Sequence, residues 1–481
     1  MLAFHRRLTA TAILMMFSIS ALAQTNSSQP DTAAFDQIGQ KVFADQQTPG
    51  FAFLVWSHGH VVFAKGYGFS DEAAKTKVTP ETRFAIGSIS KQFTAACILM
   101  LAQQNKLSLD DKLAKYLPEM PNADKITLRM LLNQDSGLHN YPNTREHSWP
   151  IEGSIPPEKL IAILKTDKPD FAPGEQWEYS NTNYAVLAYI VAKVSGISYS
   201  DFLSKNIFTP VDMSSSGNGF AAQTGIATPY NGSSGNFRPA QPRLSLDLFY
   251  GAGSIVSTVQ DLAKWDAALI GNHLLSADSI HLLWTNATLP NGQPMNYAMG
   301  FIQTTLGGHR EIWHNGYSPN AGGYCLNAIF PDDQLAVVIL SNVSDGPFRG
   351  ETEKLTLNVL ALYDPKVAPL AQAASAPPLP LVDDPAVNAL ANKLWDQITS
   401  GQLDRSLLSS QMNAAMTPEL LARVGPQLQS LGTLQSLKLS QKTAMGGGTN
   451  YIYIGNFTGG EHKIDIFMTA DGKVGGYRVL P

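Results

Sequence analysis

The chain has 481 residues, of which 44% are hydrophobic and 15% charged, so it can bury a large core and has room for two or three domains. Its formal net charge of −5 at pH 7 is mild and offers neither the broad basic field of a nucleic-acid-binding protein nor an acidic tail. Two cysteines, Cys97 and Cys325, are too few for a disulfide framework; we expect both to be small buried hydrophobes, with a single bridge as the alternative.

The N-terminus is typical of an export signal over residues 1–23. A His-Arg-Arg group at 5–7 precedes an apolar run over 8–22, and Ala21-Leu22-Ala23 offers a small-x-small cleavage pattern before Gln24. The run is too short for a comfortable membrane span, and an uncleaved anchor is the alternative. We therefore expect a periplasmic or secreted protein with a cleavable signal peptide and no stable membrane span.

After this signal the pattern predicts a helix, a hairpin and then alternating helices and strands. Apolar residues recur at helical spacing over 35–42, and β-rich runs over 51–56 and 61–69 flank the turn His58-Gly59. Further helices are predicted at 88–101, 107–117, 126–132, 184–194 and 351–363. Further strands are predicted near 297–305, 323–330 and 334–342. Helices at both ends of a mainly antiparallel sheet, with an all-helical insertion, predict an α/β fold in the form of an α+β sandwich.

The composition of the chain changes beyond this block. Residues 364–384 are rich in proline and alanine, which predicts a semi-extended linker. Beyond them, two helical patterns precede four strand-like runs, at 433–442, 449–457, 462–469 and 473–479. These elements predict a small α+β domain over 385–481, separate from a first domain over 24–363.

A serine and a lysine three residues apart begin the apolar helix of residues 88–101. Because residues three apart share one helix face, we expect the amine of Lys91 one turn above the hydroxyl of Ser88. A lysine whose pKa is lowered by burial or by neighbouring cations can take the serine proton, and the helix start adds backbone N–H groups toward the reacting oxygen. The alternative is a serine helix cap beside a solvated lysine, since Ser-x-x-Lys is a common pattern.

Two further motifs offer partners for Ser88. In Tyr179-Ser180-Asn181, the tyrosine could be kept anionic by nearby positive charge or could relay a proton to a leaving group, and the asparagine could contact an amide. Alternatively, the tyrosine is an edge of the core and the asparagine is a helix cap. In Trp313-His314-Asn315-Gly316-Tyr317, the glycine would let a substrate lie along a strand. The N–H groups of Tyr317 and Ser88 would then form an oxyanion hole.

The order Ser-x-x-Lys, Tyr-x-Asn and His-x-Gly resembles that of the penicillin-recognising serine hydrolases. This family includes class C β-lactamases, D-alanyl-D-alanine carboxypeptidases, D-aminopeptidases and β-lactamase-like esterases. The resemblance covers residues 35–363 and implies a β-lactamase-like antiparallel sheet flanked by helices, with an all-helical subdomain. Other stretches that follow the family's usual order are Phe171-Ala172-Pro173-Gly174, Ile207-Phe208-Thr209-Pro210, Ala252-Gly253-Ser254-Ile255-Val256-Ser257-Thr258 and Ser341-Asn342.

The resemblance implies a role for each residue of the three motifs. Ser88 would be the acylated nucleophile, and Lys91 and Tyr179 would be the pair that handles protons. The substrate would be bound by Asn181, as an amide contact, and by the strand that carries His314, Gly316 and Tyr317.

Two observations narrow the chemistry. Class C β-lactamases usually carry Lys-Thr-Gly where this chain has His314-Asn315-Gly316, and a neutral imidazole binds a carboxylate less strongly than an ammonium does. That departure favours a peptidase or an esterase over a β-lactamase. No His-Glu-x-x-His or equivalent ligand spacing occurs, so we expect no metal and no cofactor, and a small-molecule or peptide substrate.

The sequence therefore predicts an exported serine hydrolase that forms an acyl-enzyme on Ser88 with an amide or ester substrate. The alternatives are a β-lactamase proper and a non-catalytic protein that holds a peptide or cell-wall fragment on the same fold. The domain over 385–481 resembles the small cone-shaped domains of nuclear-transport-factor-like type that are appended to such hydrolases. It could wall the cleft, form a dimer contact or bind the cell wall, and the sequence leaves the oligomeric state and the natural substrate open.

Overall fold

The computed structural model describes residues 30–45, 47–141, 153–233, 235–318, 320–344, 348–375, 382–445 and 448–480. The predicted export signal over 1–23 lies outside these residues. Among the described residues no single helix is long and apolar enough to cross a membrane, and one bent pair, Asn181–Ser195 with Tyr199–Phe208, passes that test by length and composition only.

The first part of the chain forms an antiparallel sheet that helices cover on both faces. The strands of this part of the chain, in the main sheet and in two smaller sheets, are β1 (Gly50–Ser57), β2 (His60–Asp71), β3 (Thr76–Lys77), β4 (Phe84–Ala85), β5 (Gly217–Asn218), β6 (Tyr230–Ser233), β7 (Asn236–Pro239), β8 (Ile255–Ser257), β9 (Ile302–Leu306), β10 (His309–Tyr317), β11 (Tyr324–Phe330) and β12 (Leu335–Ser341). Its helices are α1 (Thr32–Ala44), α2 (Ser90–Gln103), α3 (Leu128–Asn133), α4 (Pro157–Leu164), α5 (Asn181–Ser195), α6 (Tyr199–Leu203), α7 (Val259–Ile270), α8 (Ala277–Trp284), α9 (Phe348–Tyr363) and α10 (Ala368–Ala374). In the described part of the chain, the main sheet has the strand order β3-β2-β1-β12-β11-β10-β9.

Strand β1, which lies inside the main sheet between β2 and β12, explains why both faces of this sheet are covered. All of its residues are buried. Because successive side chains of a strand point to opposite faces, Phe51, Phe53 and Val55 join the cluster beneath α1 and α9. Ala52 and Leu54 join the larger cluster that includes residues of α2 and α7. The predicted sandwich of helices and a mainly antiparallel sheet is confirmed.

The predicted all-helical insertion is also confirmed. Between β4 and β5 the described residues contain helices α2 to α6 and no named strand. Helix α2 is buried from Ser90 to Leu101, which makes it the central helix that its apolar sequence predicts. Helix α5 packs against it, and the Tyr184 hydroxyl of α5 donates to Leu132 O of α3 at 2.8 Å.

The helix predicted over 107–117 is wrong. The chain there forms only a short 3-10 turn over Leu113–Lys115. Its backbone groups bond across a loop instead of along a helix: Leu113 N donates to Ile126 O at 2.8 Å, and Ala114 N donates to Ala123 O at 2.9 Å. The apolar spacing over 107–117 therefore arises from leucines that are buried beneath an irregular loop, and not from a helix.

The linker predicted over 364–384 is wrong for its first half. The chain forms a 3-10 turn over Pro365–Val367 and then α10, whose Ala371 is buried in the cluster beneath α1 and α9. Prolines occupy the first turns of both elements, where a missing N–H breaks no helical hydrogen bond. Pro365 and Pro369 therefore lie at the starts of helical elements and not in an extended linker. Residues 376–381 lie outside the described part of the chain.

The described residues after 381, here called the C-terminal segment, have a hydrophobic cluster of their own. Their helices are α11 (Pro385–Ser400), α12 (Ser410–Ala415) and α13 (Pro418–Gln429). Their strands are β13 (Leu434–Met445), β14 (Gly448–Phe457), β15 (Gly460–Thr469) and β16 (Val474–Leu480), paired antiparallel in that order. The Trp395 ring of α11 lies 4.7 Å from the Phe457 ring of β14, so the helices pack on the sheet as the sequence predicts for an α+β unit.

The two cysteines are buried and unpaired. Cys97 lies in α2 and Cys325 in β11. Burial raises the pKa of the Cys325 thiol to about 12, so it stays protonated at neutral pH. Both cysteines are the small buried hydrophobes expected, and the alternative of a bridge between them is wrong.

A buried carboxyl group lies between α7 and the main sheet. Asp266 Oδ1 accepts a hydrogen bond from Asn327 Nδ2 at 2.8 Å, and burial raises the pKa of Asp266 from its ordinary 3.8 to about 8. An acid with a raised pKa binds its proton more tightly in the folded chain than in the unfolded chain. Its contribution to stability is therefore full at low pH and is lost as the pH rises toward about 8.

We expect Asp266→Asn to remove this pH dependence, because the amide keeps an acceptor for Asn327 and carries no charge to bury. The free energy of unfolding of the variant minus that of wild type should be larger at pH 8 than at pH 4, by on the order of 3 kcal/mol. Urea unfolding at the two pH values measures this difference. The exposed Asp124→Asn is the control, and an Asp266→Asn gain equal at both pH values would contradict the prediction.

Candidate active site

The chain enters α2 through a tight turn that contains Ser88. Gly87 has a φ of +53°, in the left-handed region, and a 3-10 turn over Gly87–Ile89 leads into the helix. A Cβ atom at Gly87 would lie 2.7 Å from Tyr317 N and 2.8 Å from Ser318 Oγ. Glycine thus permits both the turn and the close approach of the end of β10. The sequence offered a signal for this role, since the glycine directly precedes the serine.

Lys91 and Tyr179 meet at the hydroxyl of Ser88. Lys91 Nζ lies 3.0 Å from Ser88 Oγ, and the Tyr179 hydroxyl donates to the same oxygen at 2.8 Å. Lys91 Nζ also lies 4.7 Å from the centre of the Tyr179 ring. The structure therefore brings the first two predicted motifs together at one oxygen, and Ser88 itself is only partly buried.

Lys91 is buried completely, and each of its bonding positions is used. Besides the contact with Ser88, its Nζ donates to Asn181 Oδ1 at 2.8 Å and to Ala252 O at 2.7 Å. Burial lowers the pKa of Lys91 well below its ordinary value of 10.5. A neutral amine has two N–H bonds and one lone pair, so deprotonated Lys91 donates to Asn181 and Ala252 and accepts from Ser88. That is the state that a general base requires.

Asn140 fixes the orientation of Asn181. Its Oδ1 accepts from Asn181 N at 2.9 Å and from Asn181 Nδ2 at 3.1 Å. Because the amide nitrogen of Asn181 is engaged there, its Oδ1 faces Lys91. Asn181 is the first residue of α5 rather than its cap, which is Ser180. The sequence gives no signal for Asn140, since a single asparagine in a loop belongs to no motif.

Tyr179 is a neutral phenol. Burial raises its pKa above the ordinary 10.0, and the hydrogen bond to Ser88 acts in the opposite direction. Of the two possibilities that the sequence left open, this favours proton relay over an anionic tyrosine. The Tyr179 ring lies 6.0 Å from the Tyr297 ring and 6.1 Å from the His314 ring, so aromatic side chains surround it.

Gln134 holds the main chain on both sides of Tyr179. Glu178 N donates to Gln134 O at 3.1 Å, and Ser180 N donates to Gln134 Oε1 at 3.1 Å. Gln134 itself has a left-handed φ of 69°, which turns its side chain and carbonyl toward the same segment. The sequence gives no signal for Gln134, because its two contacts lie more than 40 positions along the chain, as the 46-residue separation from Ser180 shows.

His314 lies beneath the site and is 2% exposed. Burial lowers the pKa of His314 to about 3, so the imidazole is neutral. Nδ1–H donates to Asn315 O at 2.6 Å, which leaves Nε2 to accept from the Tyr297 hydroxyl at 3.2 Å. The imidazole is thus engaged with Tyr297, a residue that no sequence motif indicated.

The end of β10 passes directly beside the turn before Ser88. A Cβ atom at Gly316 would lie 1.9 Å from Ile86 O, so only glycine fits there. Tyr317 follows and is 47% exposed. Since Tyr317 N also approaches Gly87, the N–H groups of Ser88 and Tyr317 belong to adjoining segments, as an oxyanion hole requires.

This fold and this cluster of serine, lysine and tyrosine are those of a β-lactamase-fold serine hydrolase. The beta-lactamase family profile matches residues 33–361, which is more than half of the chain. The chain belongs to the beta-lactamase family.

Three similar proteins illustrate the relationship. PbpX of Bacillus subtilis (strain 168) is 32% identical over 319 residues, covering 65% of this chain and 75% of PbpX. The D-aminopeptidase of Brucella canis is 28% identical over 339 residues, covering 67% of this chain and 61% of the aminopeptidase. The structure of the octameric penicillin-binding protein homologue from Pyrococcus abyssi has a TM-score of 0.61 at 22% identity, covering 94% of this chain and 100% of the homologue. At that identity the likeness shows the fold alone, and its coverage extends into the C-terminal segment.

We expect the two Asn140 variants to act differently on catalysis. Asn140→Ala removes both hydrogen bonds that orient Asn181, so kcat/KM for p-nitrophenyl acetate should fall about tenfold. Asn140→Asp keeps the acceptor oxygen for both hydrogen bonds but adds a negative charge, which favours protonated Lys91 and moves the rising limb of the pH profile to higher pH. Rates measured from pH 5 to 10 test both. An Asn140→Asp profile that coincides with that of wild type would refute the orientation.

Gly316→Ala should weaken both the fold and the reaction, because the new methyl group would push β10 away from Ile86 and Ser88. We expect a lower Tm and a loss of about tenfold or more in kcat/KM with the same ester. Gly350→Ala is the matched control, since nothing lies within 4 Å of a Cβ there. A Gly316→Ala protein as active and stable as this control would be incompatible with the close approach.

Proposed function

We propose that this chain is an exported serine hydrolase that cleaves amide or ester bonds through an acyl-enzyme on Ser88. One observation carries the proposal: Ser88 Oγ contacts both Lys91 Nζ, at 3.0 Å, and the Tyr179 hydroxyl, at 2.8 Å. The nucleophilic oxygen therefore contacts both a base of lowered pKa and a proton donor. Membership of the beta-lactamase family supports the same chemistry.

In the first half of the reaction, Ser88 Oγ attacks the carbonyl carbon and its proton passes to Lys91 Nζ. The N–H groups of Ser88 and Tyr317 stabilise the oxyanion. The Tyr179 hydroxyl then donates a proton to the leaving nitrogen or oxygen and regains one from Lys91. The scissile bond breaks, and the acyl group stays on Ser88 as an ester.

In the second half, water attacks the Ser88 ester. Neutral Lys91 takes a proton from this water as the new bond forms. Ser88 Oγ leaves and receives a proton through Tyr179, which is replenished from Lys91. The acid product departs, and the hydroxyl, the amine and the phenol return to their starting states.

The substrate class proposed is a D-amino acid amide, a D-aminoacyl peptide or a related ester. The D-aminopeptidase of Brucella canis supports it, as a relative that is 28% identical. Trp177 is 38% exposed, and its ring lies 6.1 Å from the Tyr297 ring that packs beside Tyr179. With the exposed Tyr317, this tryptophan offers apolar surface to a substrate side chain.

The state of His314 disfavours a β-lactamase proper. A buried, neutral imidazole that accepts from Tyr297 gives no positive charge to the carboxylate of a β-lactam. A non-catalytic binding protein is disfavoured as well, because the base, the nucleophile and the proton donor are all retained in contact. Export is supported by the signal-like composition of residues 1–23, and N-terminal sequencing of the exported protein should begin at Gln24.

Ser88→Ala tests the proposed function. We expect wild type to hydrolyse p-nitrophenyl esters and D-amino acid p-nitroanilides faster than a chromogenic cephalosporin, and Ser88→Ala to lose roughly a thousandfold or more in kcat. Intact-mass analysis after a fluorophosphonate should show one adduct on wild type and on the exposed control Ser204→Ala, but none on Ser88→Ala. Turnover by Ser88→Ala equal to that of wild type would overturn the proposal.

A further inference from the structure

A cavity of about 500 Å³ lies outside the cluster of Ser88, Lys91 and Tyr179, and the reaction described above does not use it. It is lined by Gly153, by Phe220 with residues 223–225, and by residues 243–245. Among the described residues that line it, Arg243 is the charged one. A volume of this size is typical of ligand pockets.

The Arg243 guanidinium is poorly paired. Its Nε is buried and has no hydrogen-bond partner among the described residues, and Nη2 reaches Gln223 O only at 3.5 Å. Desolvation lowers the pKa of Arg243. Because a guanidinium keeps its proton in proteins, the charge stays in the cavity wall, and no carboxylate of a described residue forms an ion pair with it. An anion bound there would recover free energy that the unpaired charge costs.

The neighbouring Arg83 contrasts with Arg243. Its guanidinium donates to three backbone oxygens at 3.0, 2.9 and 3.1 Å, those of Ser215, Thr224 and Ala222. Arg83 is therefore engaged in holding the loop that forms one wall of the cavity. Arg83 thus holds one wall of the cavity, whereas the Nε–H group of Arg243 has no hydrogen-bond partner among the described residues.

A hydrogen bond and a strand pairing connect the walls of this cavity to segments that carry residues of the catalytic site. Leu244 N, next to Arg243, donates to Asn320 O at 2.9 Å in the loop that follows β10. On the other side, Arg83 directly precedes β4, which pairs with β8 and leads into Ser88. The residues just before β8 include Ala252, whose carbonyl accepts from Lys91. The cavity thus borders the segments that frame the catalytic serine.

Among the described residues, the two basic side chains of the catalytic cluster, Lys91 and His314, cannot bind a substrate carboxylate. Lys91 is fully buried and its Nζ already has three partners, Ser88, Asn181 and Ala252. His314 is neutral and buried, with both ring nitrogens engaged. Of the described residues, the group that could recognise a negative charge on the substrate therefore lies farther from the reacting bond.

We propose that Arg243 binds a carboxylate that the substrate carries several bonds away from the scissile carbonyl. The planar guanidinium can pair with a carboxylate through two parallel hydrogen bonds. This inference rests on the proposed hydrolase function and adds that acidic acyl groups or acidic peptides are preferred over neutral ones of the same length.

Two esters of equal chain length test this preference. Wild type is compared on the mono-p-nitrophenyl ester of adipic acid, which carries a remote carboxylate, and on p-nitrophenyl hexanoate, which does not. The quantity measured is the ratio of kcat/KM for the acidic ester to kcat/KM for the neutral ester, after subtraction of the Ser88→Ala background. In wild type this ratio should exceed one.

Arg243→Gln should lower this ratio about tenfold or more, since a charge-assisted pair is lost. Arg243→Lys should lie between wild type and Arg243→Gln because it keeps the charge but not the planar fork. Arg238→Gln removes an exposed arginine from the nearby β7 and should leave the ratio at the wild-type value.

The outcomes separate the two proposals. A ratio unchanged in Arg243→Gln, whether both rates stay or both fall together, overturns the role of Arg243 while leaving the hydrolase proposal intact. A wild type that hydrolyses neither ester above the Ser88→Ala background contradicts the proposed function itself. A ratio lowered equally by Arg238→Gln shows a general charge effect and also overturns the Arg243 site.

Discussion

Complete burial of the Lys91 amine is the constraint on which the rest of the site depends. A cation without water is costly, so the group either finds partners or loses its proton, and here both effects operate. Its contacts with Ser88, Asn181 and Ala252 use every bonding position of the nitrogen. These three partners come from three separate parts of the chain, so the amine fixes the geometry of a site that no single element could form.

Neighbouring residues hold in place the groups that surround the Lys91 nitrogen. Asn140 orients Asn181, and Gln134 holds the main chain around Tyr179. On the far side, glycines at 87 and 316 let β10 approach the Ser88 turn. Residues that have no chemical step to perform therefore position the groups around the serine.

The sequence predicted the elements that follow a regular apolar period and the site residues that belong to short motifs. Helix α2, the hairpin of β1 and β2 and the three motifs were all visible, because each is a local pattern of apolar or chemically matched residues. Patterns that have two physical meanings were misjudged: the prolines at 365 and 369 lie in the first turns of helical elements, and the leucines over 107–117 are buried beneath a loop. Contacts set by tertiary folding alone left no signal, as for Asn140, and the pKa of Tyr179 depends on burial that no motif encodes.

The most direct test of this account is a titration of the Lys91 amine itself. NMR of protein labelled at the lysine ε-carbon, with the Lys91 signal assigned by its loss in Lys91→Arg, reports the protonation state of each lysine against pH. The account predicts that Lys91 titrates well below its ordinary value of 10.5. A Lys91 signal that titrates at 10.5 or above would contradict the role of this amine as the base for Ser88.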